Sequence, residues 1–285
     1  MYKRAMKKNA AKLSLALVQM DVGPDRNKNL RRAWLLVDQA AREGAKVICL
    51  PELFSYMGSF HRPWLVAEDA RGPSITMLRR LSEEHGVYIV AGSILERSPG
   101  KLPLNTCMMI GPDGEILSRY SKMHLFDIHV PGKIRFEESR CMRRGSHASA
   151  AKTAFGTVGF AICNDLRYPE LFRRIALAGA RIAFVPSAFT KFTGREHWIA
   201  LNRVRAFENQ MFVVAVNQSG RNVDGVRFFG SSLVADPWGK LLCEGPPGGD
   251  AIIHCGVDLS RADEIRKQLP ALRKIRSSYP LKLFG

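Results

Sequence analysis

No C-x-x-C pair occurs among the six cysteines, which stand far apart at Cys49, Cys107, Cys141, Cys163, Cys243 and Cys255. In a chain of 285 residues that scatter argues against a disulfide framework or a zinc site, and for reduced thiols in a cytoplasmic setting. Nor does any apolar run approach the roughly twenty residues that span a bilayer, so no membrane partner is expected. The N-terminus, Met1 to Lys8, is basic but leads into no signal-type apolar core. Leu13 to Val18 is too short and continues into the fold, so secretion is not expected and residues 1–11 read as a short basic extension. Linkers, repeats and low-complexity blocks are missing as well, and residues 1–285 read as one domain.

Acidic side chains are scarce. Lys and Arg number 43 against 26 Asp and Glu, a formal net charge of +17. The basic residues come mostly as pairs, such as Arg31-Arg32, Arg79-Arg80, Arg143-Arg144 and Arg173-Arg174. Without a long basic run, a zinc finger or an RNP-type aromatic motif, nucleic acid is not the expected partner. Charge of this size supports solubility and draws anionic small molecules.

What is present is apolar residue, at 46% enough for a sizeable core. Strand-like and helix-like segments alternate. Strands are expected at 13–19, 46–50, 87–95, 105–110, 116–120, 154–163, 182–186 and 211–216. Helical spacing covers 27–43, 74–85 (stopped by Gly86), 168–179, 194–208 and 260–268. Hairpin turns are signalled at Gly111 to Glu115 and at Asp236 to Lys240, so the sheets are mixed. Residues 121–150 show no periodicity, and long loops in compact domains are usually functional. The alternation predicts an α/β fold in which helices cover buried strands.

Three strand ends deliver reactive groups. Val47 to Pro51 runs into Glu52, Arg119 to Ser121 into Lys122, and Phe160 to Ile162 into Cys163. Strand ends are where ligand sites gather in sheets of this kind. Singly, each has a plainer reading: Cys163 as a core thiol, Glu52 as a turn residue, Lys122 as a solvated surface cation. Together they make chemical sense. Only a few per cent of a free thiol is ionised at neutral pH, so a nucleophilic cysteine needs a base, and Glu52 can take its proton. Lys122 can hold both groups in place and stabilise an oxyanion, with the backbone N–H of Asn164 as second donor. His124 and His129 lie without a third ligand at metal-site spacing, so no metal is expected. His197 reads as a structural, hydrogen-bonding histidine, although a Cys–His pair is the main rival assembly.

Pro51-Glu52, Tyr120-Ser121-Lys122-Met123-His124-Leu125 and Cys163-Asn164-Asp165-Leu166-Arg167-Tyr168-Pro169-Glu170 resemble the three motifs of the nitrilase superfamily of carbon–nitrogen hydrolases. The resemblance runs over nearly the whole chain, from Ala16–Met20 through Pro186–Phe189 and Gly194–Gln210 to Asp236–Gly239. It implies an α-β-β-α sandwich of two mixed sheets flanked by helices. It also implies hydrolysis of a non-peptide C–N bond through a cysteine thioester, without cofactor or metal. The stretch Lys122 to Ser139 is similar to the omega-amidase and deaminated-glutathione-amidase branch, which cleaves terminal amides of small carboxylic acids. By that resemblance Glu138, not Glu137, joins Glu52, Lys122 and Cys163 as a catalytic residue. Asn164, Phe126 and Ala188 fall at the substrate, and Asp165, Arg167 and Glu170 brace the nucleophile turn. The family commonly dimerises, which makes a homo-oligomer the expected assembly and the tail 270–285, with its apolar end Tyr279–Phe284, a docking segment. Two departures bear on substrate. Asn164 stands where the omega-amidase type usually has tyrosine, as in N-carbamoyl-D-amino-acid hydrolases, and Ser55–Phe60, expected to wall the pocket, differs from the usual wording. An N-carbamoyl substrate is therefore the alternative within enzymes, and a catalytically silent or nucleic-acid-associated protein the alternative outside them.

Overall fold

Alternate residues of the first strand face two different cores, and that period of two builds the architecture. The structure is a computed structural model that describes residues 12–100, 102–276, 280 and 282. The basic extension 1–11 and most of the apolar end 279–284 lie outside these residues.

In β1 (Leu13–Asp21), Leu15 and Leu17 point into one core with Val47, Cys49, Cys107 and Met109. Ala16, Val18 and Met20 point into a second core with Ile48, Leu50, Met108 and Ile110. That second core is closed by α1 (Arg26–Arg42), which presents Ala33, Val37 and Ala40. Asp25 caps α1 by accepting from the Lys28 N–H, one of the donors a helix start leaves unpaired. β2 (Val47–Cys49) follows, then α2 (Pro73–His85), which adds Ile75, Leu78 and Leu81 and stops at left-handed Gly86, φ 60°.

The expected strand 87–95 is broken into β3 (Tyr88–Val90) and β4 (Ile94–Glu96). Gly92 breaks it: at φ 50° the chain bends so closely over Pro51 that a Cβ would lie 2.0 Å from the Pro51 carbonyl oxygen. The bend lets Ser93 Oγ accept from the Leu53 N–H at 2.9 Å, which fixes the turn carrying Glu52. Gly92→Ala is expected to lower stability by more than about 1 kcal/mol, the left-handed penalty alone, and to lower activity with it. Urea unfolding and an ammonia-release assay check this, and a neutral outcome in both refutes the role given to the bend.

β5 (Leu104–Ile110) and β6 (Ile116–Ser121) form the expected hairpin. The first sheet pairs β15 (Ala251–Val257), β1, β2, β3 and β5 in that order, with β4 and β6 also on β5. The second sheet runs β9 (Ala150–Thr153), β10 (Gly156–Phe160), β11 (Ile182–Ser187), β12 (Phe212–Ser219), β13 (Leu233–Ala235) and β14 (Leu241–Glu244). Its helices are α3 (Pro169–Leu177) and α4 (Lys191–Asn209). Gly159 lets α3 sit directly on β10, since a Cβ there would meet Ile175 Cγ2 at 2.0 Å. α5 (Ser260–Gln268) ends the described fold near its expected place. The result is the α-β-β-α sandwich, with both sheets mixed.

Two further expectations change. Residues 121–150 are not irregular: β7 (Asp127–Val130) and β8 (Ile134–Glu137) pair as an antiparallel hairpin. The expected strand 154–163 is shortened to β10, which pairs with the unexpected β9 before it, and Cys163 lies beyond β10 in a 3-10 turn, Cys163–Arg167.

The two sheets join where β1 and β12 pair in parallel, at Met20 with Gln218 and Asp21 with Ser219. β1, β2 and β3 run parallel, as do β10, β11 and β12, so their C-terminal ends open on one side of the molecule.

Candidate active site

Glu52 leaves β2 through Pro51, Lys122 follows β6, and Cys163 follows β10 after two residues. All three are buried, and with Glu138 they line one cavity. Lys122 Nζ lies 2.8 Å from Glu52 Oε1 and 2.8 Å from Glu138 Oε2. Burial would push its pKa down, but Glu138, Glu52 and the Cys163 sulfur outweigh that and hold it well above the ordinary lysine value. It stays an ammonium. Burial raises the Glu138 carboxyl, and Lys122 opposes it.

Glu52 is gripped from several sides. Asn105 Nδ2 donates to its Oε1 at 2.7 Å, the Ala188 N–H to its Oε2 at 2.7 Å, and Gln218 Nε2 to its backbone oxygen at 2.7 Å. The Ala188 N–H also lowers the pKa of the nearby Cys163 thiol, against the burial that raises it. Glu138 arrives at the end of β8 in a short 3-10 turn and accepts from the Phe126 N–H at 2.6 Å. Its neighbour Glu137 pairs instead with Arg135 and Arg140 at the surface.

Cys163 is held at φ 47°, a left-handed conformation that a non-glycine residue adopts only when its surroundings impose it. Asp165 imposes it. Its carboxylate accepts from Tyr120 OH at 2.7 Å, the Ile162 N–H at 2.8 Å and the His124 N–H at 3.1 Å, and pairs with His124 Nδ1 at 2.7 Å. His124 stacks on Tyr168, with centroids 3.6 Å apart. Arg167 Nε donates to Asn164 Oδ1 at 3.0 Å, and Arg167 Nη1 meets His197 Nδ1 at 3.0 Å, the structural place expected for His197. Glu170 does not brace this turn: it is exposed in the first turn of α3, where its charge suits the helix N-terminus.

The thiol of Cys163 is protonated at rest. Burial raises its pKa well above the ordinary value, Glu52 adds to that, and Lys122 and the Ala188 N–H only partly oppose it. Alkylation of Cys163 by iodoacetamide is therefore expected to be slow at neutral pH and to rise through a midpoint above the roughly 8.5 of a free thiol. Glu52→Gln removes a raising charge and leaves Lys122, so the midpoint moves to lower pH. Peptide mapping of the alkylated protein across pH checks it; a wild-type rate already at plateau near neutrality contradicts the ordering.

The cavity holds about 60 Å3, several times the space one ordered water needs. Met57 and Phe60 wall it, from the segment expected there, together with Phe126, Phe136 and Phe228. Ala188 and Phe126 line both it and a smaller adjoining cavity of about 10 Å3. Asn164 lines only the smaller one, and its side-chain amide donates to the His124 and Leu125 carbonyls at 3.3 and 3.0 Å. Asn105 and Gln218 were not expected at the site. Their signal is a buried amide inside an apolar strand, which needs a partner. The cluster of three potential metal ligands among the described residues, Asp38, Glu84 and His85, lies on α1 and α2 and shares no residue with the cavity.

Residues 14–267 match the carbon-nitrogen hydrolase family. The chain belongs to that family. An omega-amidase of Xenopus tropicalis is 39% identical over 267 residues, 93% of this chain and 96% of that protein. The C. elegans NitFhit protein superimposes with a TM-score of 0.87 at 32% identity, over 94% of this chain and 66% of that one. A Saccharomyces cerevisiae member of the nitrilase superfamily gives 0.82 at 31% identity, over 92% of this chain and 95% of that one. The chain is thus a carbon–nitrogen hydrolase of the nitrilase superfamily with omega-amidases among its relatives. Among the described residues no helix is long and apolar enough to cross a membrane.

Proposed function

We propose that this hydrolase cleaves a primary amide through a thioester on Cys163 and releases ammonia, as the omega-amidase relatives suggest. Glu52, Lys122, Glu138 and Cys163 on one small buried cavity carry the proposal. Cys163 attacks the amide carbon as its proton passes to Glu52, so the thiolate forms only with substrate in place. Lys122, fixed by two carboxylates, stabilises the oxyanion with the Asn164 N–H. Glu52 then hands its proton to the departing ammonia, leaving Cys163 acylated. Water enters, Glu52 takes its proton, and the tetrahedral adduct collapses to carboxylic acid and free thiol. Glu138 supports this second half by holding Lys122 and positioning water. As in its family, the working assembly is a homo-oligomer.

Glu138→Gln is expected to slow deacylation, so an acyl adduct accumulates. Intact mass after brief exposure to an amide should rise by the acyl mass, with the adduct mapped to Cys163. An adduct on any other residue, or none while turnover continues, refutes the thioester route. Carbon dioxide released alongside ammonia reassigns the substrate to an N-carbamoyl compound.

A further inference from the structure

We propose that Cys243 and Cys255, reduced at rest, form a reversible, peroxide-driven disulfide that ties the two sheets together. β14 and β15 are outer strands, β14 pairing with β13 in the second sheet and β15 with β1 in the first. Their directions follow from the pairings. β15 is antiparallel to β1, β1 is parallel to β12, and two antiparallel steps, β12 to β13 to β14, restore the direction of β12. β14 and β15 therefore run in opposite senses. Gly245, just past the end of β14, faces Ile253 of β15, since a Cβ on it would lie 2.9 Å from Ile253 Cδ1. Two residues back along one strand and two forward along the other, on the same faces, Cys243 stands opposite Cys255. Both side chains join the core between the sheets, Cys255 within it and Cys243 packed against it.

This pair is unlike the other thiols. Cys49 and Cys107, each 1% exposed, are sealed in that core, whereas Cys255 is 8% exposed and Cys243 is half-buried. Burial raises the pKa of Cys49, Cys107, Cys141 and Cys163. Cys255 lies below the ordinary thiol value: Cys243 beside it lowers it most, Lys12 adds to that, and together they outweigh burial. Lys12 covers Gly256, the next residue, with its Cδ 3.4 Å from where a Cβ would stand. Thiolate character, an opening to solvent and a resolving partner are what a redox-responsive cysteine needs.

The oxidant is a hydroperoxide, in the simplest case hydrogen peroxide. The Cys255 thiolate attacks one peroxide oxygen and the O–O bond breaks. Sulfur loses two electrons and becomes a sulfenic acid, and the other oxygen leaves as hydroxide, which takes up a proton. The Cys243 sulfur then attacks the Cys255 sulfur. The S–S bond forms, the S–O bond breaks, and the oxygen leaves as water with the Cys243 proton. Two thiols and one peroxide thus give one disulfide and two waters. The new bond closes a loop of about a dozen residues and joins sheets whose strands, among the described residues, pair only at the β1–β12 seam.

The test treats the reduced full-length protein with a few equivalents of hydrogen peroxide and then blocks free thiols with N-ethylmaleimide. The tryptic peptide Leu241–Arg261 holds both cysteines. It is expected to emerge unlabelled and two hydrogens lighter than its reduced form, and to take two labels after dithiothreitol. The urea midpoint of the oxidised protein, followed by far-UV circular dichroism, should rise above that of the reduced protein. In Cys243→Ser, Cys255 has no resolving thiol, and dimedone should trap its sulfenic acid about tenfold or more faster than that of Cys49 or Cys107. A peptide that takes both labels after peroxide, or a disulfide that leaves the urea midpoint unmoved, overturns the proposal. Those two readouts use the wild-type protein, need no variant to fold and do not depend on amide hydrolysis.

Discussion

Cys163→Ala protein is expected to lose ammonia release by a factor on the order of 10⁶, the scale seen when a covalent nucleophile is removed from a hydrolase whose groups act as a unit. Glu52 and Lys122, 2.8 Å apart in the wild type, should keep their pairing in that variant, but with no sulfur to attack they hold an empty apparatus. Stability should change little, within about 1 kcal/mol. Alanine keeps the Cβ, so the left-handed backbone at φ 47° is neither relieved nor worsened, and the missing group is an uncharged thiol. Cys163→Ser should be nearly as inactive, because a hydroxyl is far harder to deprotonate with a carboxylate base. Parallel ammonia assays and thermal melts separate chemistry from folding. Turnover within tenfold of wild type in the alanine variant would falsify the thioester mechanism outright.

Lys122→Met acts on the fold as strongly as on the reaction. Methionine fills the space of the lysine stem but leaves Glu52 and Glu138 facing each other, buried and without a counter-ion. Breaking a buried ion pair from one side costs about 3–5 kcal/mol. The cost depends on pH. Glu138 already has a folded pKa above the ordinary carboxyl value, because burial outweighs the lowering by Lys122. Removing Lys122 raises it further. A carboxyl whose folded pKa lies above its unfolded pKa gives the folded state extra protons between the two values, so stability falls as pH rises through that window. The gap between variant and wild type should thus be widest near pH 8 and narrow toward about pH 5. Activity should fall by about 10²–10³ for the lost oxyanion donor alone. Urea unfolding of both proteins at the two pH values is the check. A variant as stable as wild type at the higher pH contradicts the account of the buried cluster.

Glu52, Lys122 and Cys163 were legible in the sequence because each follows a strand-like stretch, and strand ends are where charge can stand beside a core. Glu138 was legible only through resemblance. Glu137 and Glu138 are adjacent carboxylates, and nothing in local composition says which turns inward and which meets Arg135 and Arg140. Asn105 was missed because a polar residue near the start of an apolar strand passes for a strand boundary. The hairpin β7–β8 was missed for a different reason. Ile128, Val130, Ile134 and Phe136 do alternate with polar residues, but each strand is only four residues long, too short for periodicity to stand out. β9, Ala150–Thr153, has small and polar residues where a strand usually shows branched ones, so its pairing with β10 was read as loop. The break at Gly92 follows from a long-range approach to Pro51 that no local pattern encodes.

The short seam between the sheets, Met20–Asp21 against Gln218–Ser219, has a mechanical consequence. Glu52 and Lys122 ride on one slab of the molecule and Cys163 on the other, while Gln218, one residue of the seam, also clasps the Glu52 backbone at 2.7 Å. Any parting of the slabs there pulls the Glu52 carboxylate and the Cys163 thiol asunder before either slab melts. Turnover in this protein is consequently a gauge of closure, and denaturant should extinguish it ahead of the bulk loss of secondary structure.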